Sequence, residues 1–177
     1  SSTCYILAVG INQYKNSKLN LNYARPDAES FSKLMNDKTS PLFKNIELKT
    51  LYDQDATRQK ILAVLDEMAG KISQEDVFIF YYAGHGLQRD DENYLVPIDA
   101  MIEFEDDIGR YCFPVQRMVL SNMERSNSRM NIVILDACRN NPFPALNRSL
   151  GDQGLGEMRR ARGSFIAYAT APGSVAS

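Results

Sequence analysis

Apolar residues fall into short continuous or alternating runs that predict five β-strands. The run from Ile132 to Leu135 is apolar at every position and mostly β-branched, which is typical of a strand buried on both faces of a parallel sheet. The stretch Ile46–Tyr52 alternates apolar and polar residues instead, so it predicts a strand with a more exposed face, nearer a sheet edge. The predicted strands are Tyr5–Ile11, Ile46–Tyr52, Val77–Tyr82, Ile132–Asp136 and Ser164–Thr170, with a short extended piece at Tyr94–Ile98.

Between these strands the apolar residues recur at helical spacing. Pro26 suits a first helical position and Thr57 an N-cap, so both mark the start of a predicted helix. Strands that alternate with helices predict an α/β fold, a doubly wound and mostly parallel sheet with helices on both faces. The stretch from Asn140 to Gly163 predicts a long loop. The predicted helices are Pro26–Asn36, Arg58–Ile72 and Val115–Arg125.

The length and composition are those of one globular domain. The 177 residues, 44% of them hydrophobic and 24% charged, are enough for a single core, so we predict one domain over residues 1–177. A formal net charge of −2 and the lack of a long basic run argue against nucleic acid as a partner, and no apolar stretch has the length of a membrane span. Three cysteines, an odd number, favour free thiols in a reducing compartment, so we expect a cytoplasmic protein.

Residues with reactive side chains follow the predicted strand Ile132–Asp136. Cys138 and Arg139 come directly after it, at the edge where α/β sheets bind their ligands. A neighbouring cation lowers a thiol pKa from about 8.5 towards neutrality, so Arg139 favours the reactive thiolate. We interpret Cys138 as a nucleophile. The alternative is a core cysteine, because free cysteine is among the most buried residue types.

His85 is the only histidine of the chain, and it follows the predicted strand Val77–Tyr82. It lies between Gly84 and Gly86, which allow the backbone to approach a ligand closely. If both strands are parallel members of one sheet, the imidazole and the Cys138 thiol meet at the same edge. A thiol and a group that moves its proton are the minimum for nucleophilic catalysis. The alternative is a structural histidine.

These two stretches resemble the catalytic motifs of the caspase superfamily of cysteine peptidases. The resemblance is carried by Tyr81–Gly86, with the sequence Y-Y-A-G-H-G, and by Leu135–Asn140, with the sequence L-D-A-C-R-N. Caspases have the signature Q-A-C-[RQG]-G, with a histidine about 50 residues upstream. In this chain Asp136 replaces the glutamine and Asn140 the glycine, which is closer to metacaspase-like, paracaspase-like and bacterial caspase-like proteins. The resemblance covers nearly the whole chain.

The resemblance implies a role for each residue of the dyad. Cys138 attacks the scissile carbonyl, and His85 protonates the leaving amine. The backbone N–H groups of Gly86 and Cys138 form the oxyanion hole, in which pre-aligned donors stabilise the developing charge. Such a dyad needs no cofactor.

The resemblance also divides the chain into three segments. Residues 1–150 correspond to the large-subunit portion, 151–163 to a linker loop and 164–177 to the start of the small subunit, where Phe165–Gly173 carries the match. Family members continue past this strand with at least one more strand and helices. We therefore expect the last strand to be an exposed edge unless another segment covers it, and the chain's own C-terminal small-subunit segment is an expected partner.

Two acidic residues match the positions that hold a basic substrate residue in metacaspase-like proteins. Asp136 shortly precedes Cys138, and Asp27 opens the predicted helix Pro26–Asn36, so both belong near the sheet edge of the dyad. Two carboxylates favour arginine, which they can bind bidentately, and secondarily lysine. The expected partners are thus peptide or protein substrates with Arg or Lys before the scissile bond. Each acid also has a structural interpretation, Asp27 as a helix-dipole carboxylate and Asp136 as a strand-ending acid.

Three further features are less specific. Cys4 and Cys112 lack a neighbouring histidine or cation and are expected to be structural thiols. An acidic cluster is interpreted as solvated, with binding of calcium, which some metacaspases require, as the alternative; it comprises Glu103, Glu105, Asp106 and Asp107. Arginines in or near the linker are candidate self-cleavage sites for an Arg-specific peptidase, with a solvated basic loop as the alternative; they are Arg148, Arg159, Arg160 and Arg162.

Together these features predict a cysteine endopeptidase that cleaves after Arg or Lys with the Cys138/His85 dyad. One alternative is a caspase-fold scaffold that binds protein partners without turnover, although intact Cys138, His85 and Gly86 argue against it. Another is a different cysteine hydrolase or transferase on a similar sheet, which would be labelled at Cys138 by a general thiol reagent but not by an Arg-directed one. No metal site is predicted, because one histidine and scattered cysteines lack ligand spacing.

Overall fold

The computed structural model describes residues 2–38, 43–137, 141–146 and 164–168, and these residues form two sheets. The strands are β1 (Thr3–Gly10), β2 (Asn45–Tyr52), β3 (Val77–Gly84), β4 (Gly86–Arg89), β5 (Glu92–Leu95), β6 (Phe113–Pro114), β7 (Met130–Ala137) and β8 (Ser164–Tyr168). The main sheet has the order β2-β1-β3-β7-β8 and is parallel throughout. The smaller sheet, β4-β5-β6, is antiparallel.

Helices cover both faces of the main sheet. They are α1 (Ala24–Lys38), α2 (Arg58–Lys71), α3 (Asp107–Tyr111) and α4 (Ser121–Arg125), the last preceded by a π-helical segment, Val115–Leu120. α1 packs across β1, β3 and β2, whereas α2 lies on the other face and also contacts α4. Thr57 caps α2 as predicted, since its side chain accepts a hydrogen bond from the Lys60 N–H at 3.2 Å. The predicted doubly wound α/β sheet is confirmed.

The period of two along each strand separates the core into two layers. Phe80 and Tyr82 of β3 pack on the α2 face, while Ile79 and Tyr81 pack on the α1 face. Every residue of β3 is buried, as expected for a central strand, whereas β2 alternates and lies at the predicted sheet edge. β8 forms the other edge of the sheet within the described residues.

Strand β7 differs from its predicted burial. Val133 and Leu135 are fully buried, but Ile132 and Ile134 are only partly covered. The reason is that α1 lies over β1 and β3, so the α1 face of β7 is less covered than that of β3. The sheet is therefore partly open beside β7.

Several local predictions needed correction. The predicted helix Val115–Arg125 is π-helical in its first half, and α1 begins before Pro26. The predicted extended piece Tyr94–Ile98 is strand β5, which spans Glu92–Leu95 in the smaller sheet. Strands β4 and β6 were not predicted, because both are short; β4 forms a hairpin with β5, whereas β6 pairs with β5 from a more distant part of the chain. Among the described residues no helix combines the length and hydrophobicity that crossing a bilayer requires.

Helix α1 crosses β1 where Gly10 leaves room for it. A Cβ atom at Gly10 would lie 2.5 Å from the Ala28 Cβ and 3.1 Å from the Ala24 carbonyl oxygen. No heavy atom lies within 4 Å of the corresponding position at Gly70, inside α2. The same substitution therefore has opposite consequences at the two glycines.

Gly10→Ala is expected to lower the free energy of unfolding by about 1–3 kcal/mol, because the added methyl group forces α1 away from the sheet. Gly70→Ala is the matched control and is expected to raise it by about 0.5–1 kcal/mol, because alanine favours the helix. Urea unfolding followed by circular dichroism measures both. Equal stability of the Gly10→Ala protein and the parent would contradict the close packing of α1 on β1.

Candidate active site

His85 lies at the edge formed by the carboxyl ends of the parallel strands. It directly follows β3, whose last residue, Gly84, is the register partner of Ala137 at the end of β7. The crevice between β1 and β3 is also the point where the strand order reverses, the usual ligand site of an open α/β sheet. The fold thus brings His85 beside the end of the strand that leads into Cys138. Cys138 itself, with residues 139 and 140, lies outside the described residues.

The imidazole ring of His85 is fixed in one orientation by a backbone carbonyl. Its Nε2 atom lies 2.7 Å from the carbonyl oxygen of Leu19, in the loop after β1. Because a carbonyl oxygen can only accept a hydrogen bond, this contact requires the proton on Nε2. The Nδ1 atom is then an acceptor, and it is buried without a hydrogen-bond partner among the described residues.

Two tyrosine hydroxyls hold the peptide groups on either side of the ring. The His85 N–H donates to the Tyr14 hydroxyl at 2.9 Å, and the Tyr82 hydroxyl donates to the His85 carbonyl oxygen at 2.5 Å. The Val96 N–H donates to the same carbonyl at 3.0 Å. His85 is therefore anchored through its ring and through both of its backbone polar groups.

Gly84 is required by the closeness of these hydroxyls. A Cβ atom at this position would lie 2.7 Å from the Tyr82 hydroxyl and 2.9 Å from the Tyr14 hydroxyl, inside van der Waals contact. Gly86, the predicted oxyanion-hole residue, is buried at the start of β4 opposite Leu95. The structure thus places Gly86 directly beside the predicted general acid.

Burial lowers the pKa of His85 below its ordinary value, and the hydrogen bond to the Leu19 carbonyl opposes this effect only in part. The imidazole is consequently neutral at pH 7. A neutral ring with an unprotonated, buried Nδ1 is equipped to accept a proton from a neighbouring acid.

The two predicted acidic residues lie on the α1 face of the sheet. Asp136 is half-buried near the end of β7, and its Oδ2 atom accepts a hydrogen bond of 3.1 Å from the Tyr81 hydroxyl. Asp27 is exposed in the first turn of α1. Burial first, and then the charges of Asp136 and Asp27, raise the pKa of Tyr81 well above its usual value. Asp136 therefore contacts this phenol, and the charge of Asp27 also acts on it.

A third acid, Asp53, organises the loop that carries the Leu19 carbonyl and was not singled out from the sequence. Its carboxylate accepts hydrogen bonds from the N–H groups of Asn12 and Gln13 at 2.8 and 3.0 Å and from the Arg25 guanidinium at 2.9 Å. Burial disfavours its charge, but these donors outweigh burial and lower the pKa of Asp53. Because Arg25 belongs to α1, Asp53 ties the start of this helix to the loop after β1.

The sequence offered a signal for some of the missed residues only. Tyr82 lies within the Y-Y-A-G-H-G motif, but nothing in the local sequence of Tyr14 or Leu19 points to His85. Cys4 and Cys112 are buried and free, as expected for structural thiols. Burial raises the pKa of Cys4 to about 11 and that of Cys112 further still, so neither forms a thiolate near neutral pH.

Three residues of the acidic cluster, Glu105, Asp106 and Asp107, are bound by other groups of the chain. Arg89 binds Glu105 and Asp106, each with an N–O distance of 3.1 Å. The Asp107 carboxylate accepts hydrogen bonds from the N–H groups of Glu103 and Phe104 at 3.1 and 2.9 Å. Among the described residues no group of three or more His, Cys, Asp or Glu side chains is arranged to hold a metal ion. The four candidate self-cleavage arginines, Arg148, Arg159, Arg160 and Arg162, lie outside the described residues.

The amino-acid sequence of the chain matches a known protein family and several known proteins. The family model described as Caspase domain matches residues 3–177. The human mucosa-associated lymphoid tissue lymphoma translocation protein 1 is 26% identical over 98 residues, which are 55% of this chain and 11% of that protein, and the mouse homolog matches to the same extent. A probable protease of a Desulfuromonadales bacterium is 29% identical over 126 residues, 67% of this chain and 15% of that protein. The chain therefore spans only a small part of the length of these curated relatives.

The fold also resembles a solved structure. The crystal structure of a protein from Geobacter sulfurreducens superposes with a TM-score of 0.59 at 18% identity, over 77% of this chain and 50% of that one. This likeness bears on the fold alone.

The protonation state of His85 can be measured directly, because it is the only histidine of the chain. In an NMR titration its ring is expected to titrate below the ordinary pKa of about 6.5, with the proton of the neutral form on Nε2. Since the unfolded chain then binds more protons than the folded one, the free energy of unfolding falls as the pH drops from about 6.5 to the folded pKa. The urea-unfolded protein is the control. A folded midpoint above that of the unfolded protein would contradict the buried, neutral ring.

Proposed function

The chain belongs to the caspase domain family, and from this premise we propose that it is a cysteine endopeptidase that hydrolyses peptide bonds after arginine and secondarily after lysine. The observation that carries the proposal is the state of His85. Its Nε2–H donates to the Leu19 carbonyl oxygen, so the buried Nδ1 atom is an acceptor at the sheet edge where β7 ends. Cys138 is the next residue of the chain after β7.

The proposed reaction uses Cys138 as the nucleophile and His85 as the base and acid. The Nδ1 atom takes the thiol proton, and the sulfur forms a bond to the scissile carbonyl carbon, whose oxygen becomes an oxyanion. The N–H groups of Gly86 and Cys138 donate to that oxyanion. When the C–N bond breaks, the proton passes from the imidazole to the leaving amine. Water then hydrolyses the thioester with the same imidazole as base.

The preference for arginine is supported by the acidic pair. Asp27 and Asp136 lie on one face of the sheet, and Asp136, which is hydrogen-bonded to Tyr81, is near the end of the strand that precedes Cys138. Two carboxylates attract a basic side chain, and a guanidinium can bind them through paired hydrogen bonds. The partial opening of the α1 face beside β7 gives a long side chain access to Asp136. A substrate aspartate would be repelled.

We further propose that the dyad works without a metal ion. Glu105 and Asp106 are bound to Arg89, and Asp107 is bound to backbone N–H groups, so binding calcium there would require these contacts to break. A chelator in the assay tests this directly.

Fluorogenic tripeptides that end in Arg, Lys or Asp test the proposed activity. We expect cleavage after Arg to exceed cleavage after Lys, no cleavage after Asp, and no change when calcium is chelated. Cys138→Ala should lower kcat for the Arg substrate by about 10³-fold or more, because the nucleophile is lost.

Cys4→Ala is the matched control, because it removes a buried thiol at the start of β1, paired with Val77 at the end of β3 opposite His85, and it should retain the activity. Cleavage after Asp alone would show that Asp27 and Asp136 do not form the primary pocket. Failure of the folded protein to cleave any of the peptides would favour a scaffold that binds protein partners without turnover.

We also propose that the protein cleaves its own chain after one or more of Arg148, Arg159, Arg160 and Arg162. These arginines meet the proposed specificity, and they lie in or near the linker between the two portions of the caspase pattern. Incubation of the purified protein should yield fragments that end at these residues by mass spectrometry. The Cys138→Ala protein should stay a single band. An active protein that remains uncut, or is cut elsewhere, would contradict this proposal.

A further inference from the structure

Tyr81 is hydrogen-bonded to Asp136, one of the two acidic residues proposed to bind the basic side chain of the substrate. It lies in β3 with its side chain on the α1 face, and only 6% of its surface is exposed. Its hydroxyl donates to the Oδ2 atom of Asp136 at 3.1 Å. Because Asp136 belongs to the neighbouring strand β7, this hydrogen bond links the side chains of two strands.

The phenol ring is held in place from the other side by α1. Phe31 stacks on it with a centroid separation of 4.3 Å and an angle of 14° between the ring planes. The ring is thus fixed between the sheet and the helix, and the direction in which its hydroxyl reaches Asp136 is set by the fold. The same helix carries Asp27.

We propose that Tyr81 is a positioning residue that fixes the rotation of the Asp136 carboxylate and thereby sets the preference for arginine over lysine. This inference rests on the proposed function and adds the group that determines its selectivity. It concerns the α1 side of the site only, because Tyr82, the next residue, serves His85 on the other face.

The orientation of the Asp136 carboxylate matters more for arginine than for lysine, because the two side chains differ in shape. A guanidinium is a planar, rigid fork that binds a carboxylate well only when the carboxylate plane has a suitable orientation. An ammonium group is a compact charge with rotatable donors, so it tolerates a turned carboxylate. Loss of the Tyr81 hydroxyl should therefore weaken arginine binding much more than lysine binding.

The Tyr81 hydroxyl remains a hydrogen-bond donor over the whole pH range in which a peptidase works. Burial and the charges of Asp136 and Asp27 raise the pKa of Tyr81, so the phenol stays protonated.

The test measures binding in the absence of turnover. In the Cys138→Ala protein, calorimetry gives the Kd of product-like peptides that end in Arg or in Lys. The preference is the ratio of the Kd of the Lys peptide to that of the Arg peptide. We expect Tyr81→Phe, which keeps the ring and removes only the hydroxyl, to lower this ratio about tenfold, mainly because the Kd of the Arg peptide rises. A general loss of packing would weaken both peptides alike and leave the ratio unchanged.

Three further variants make the test specific. Tyr5→Phe removes the hydroxyl of a buried tyrosine near the opposite end of β1, and it should leave the ratio unchanged. In an Asp136→Asn background, Tyr81→Phe should have no further effect on the ratio, because Tyr81 acts through Asp136. If Tyr81→Phe does not fold, Phe31→Leu keeps the hydroxyl but loosens the ring, and a smaller change in the same direction is expected.

The outcomes separate this inference from the peptidase proposal. An unchanged ratio in Tyr81→Phe, an equal change in Tyr5→Phe, or a full effect in the Asp136→Asn background would overturn the role of Tyr81. Arginine-selective binding that depends on Tyr81, without cleavage of the Arg substrate by the Cys138-containing protein, would overturn the peptidase and keep the role of Tyr81. Cleavage after Arg by the Cys138-containing protein, together with an unchanged ratio in Tyr81→Phe, would keep the peptidase and overturn the role of Tyr81.

Discussion

The parallel pairing of β3 with β7 is the constraint on which the site depends. Its register places Gly84 beside Ala137, so the two sequence motifs leave the sheet at neighbouring positions although they are distant in sequence. A parallel arrangement is needed for this, because antiparallel strands would send the two segments to opposite ends. The pairing of β3 with β1 on its other side brings in the loop that carries Leu19. His85 itself is held by Tyr82 of β3, by Tyr14 and Leu19 in the loop after β1, and by the Val96 N–H.

Two adjacent tyrosines divide the support of the site between the faces of the sheet. Tyr82 points into the layer under α2 and binds the backbone of His85, whereas Tyr81 points into the layer under α1 and binds Asp136. The period of two in a strand makes this division unavoidable for consecutive residues. One short stretch of β3 therefore positions both the residue proposed to move the proton and a residue proposed to bind the substrate.

Hydrogen bonds and burial together set the protonation states at this edge. His85 is kept neutral by burial and oriented by a carbonyl, while Tyr81 is kept protonated by burial and by the charges of Asp136 and Asp27. Asp53 is kept charged by backbone N–H groups and Arg25, and its role is to hold the loop rather than to react. The thiols of the described core are kept protonated by burial, which leaves Cys138 as the reactive cysteine of the proposal.

The sequence by itself determined the main strands, the helices around them and the two motifs. These features follow from hydrophobic period and cap residues, which are local, so β3, α2 and the edge position of β2 were correctly predicted. The candidate residues His85, Gly86, Asp27 and Asp136 were also found from the sequence, because their types and positions carry a pattern.

Only the tertiary structure decided which groups hold those residues. The Leu19 carbonyl meets His85 from 66 positions earlier in the chain, and every residue has such a carbonyl, so no sequence pattern marks it. Tyr14 and the strand β6 likewise act through contacts with distant parts of the chain. The sequence could also place Tyr81 on a strand, but the partner of its hydroxyl followed from the register of β3 with β7 and from the position of α1.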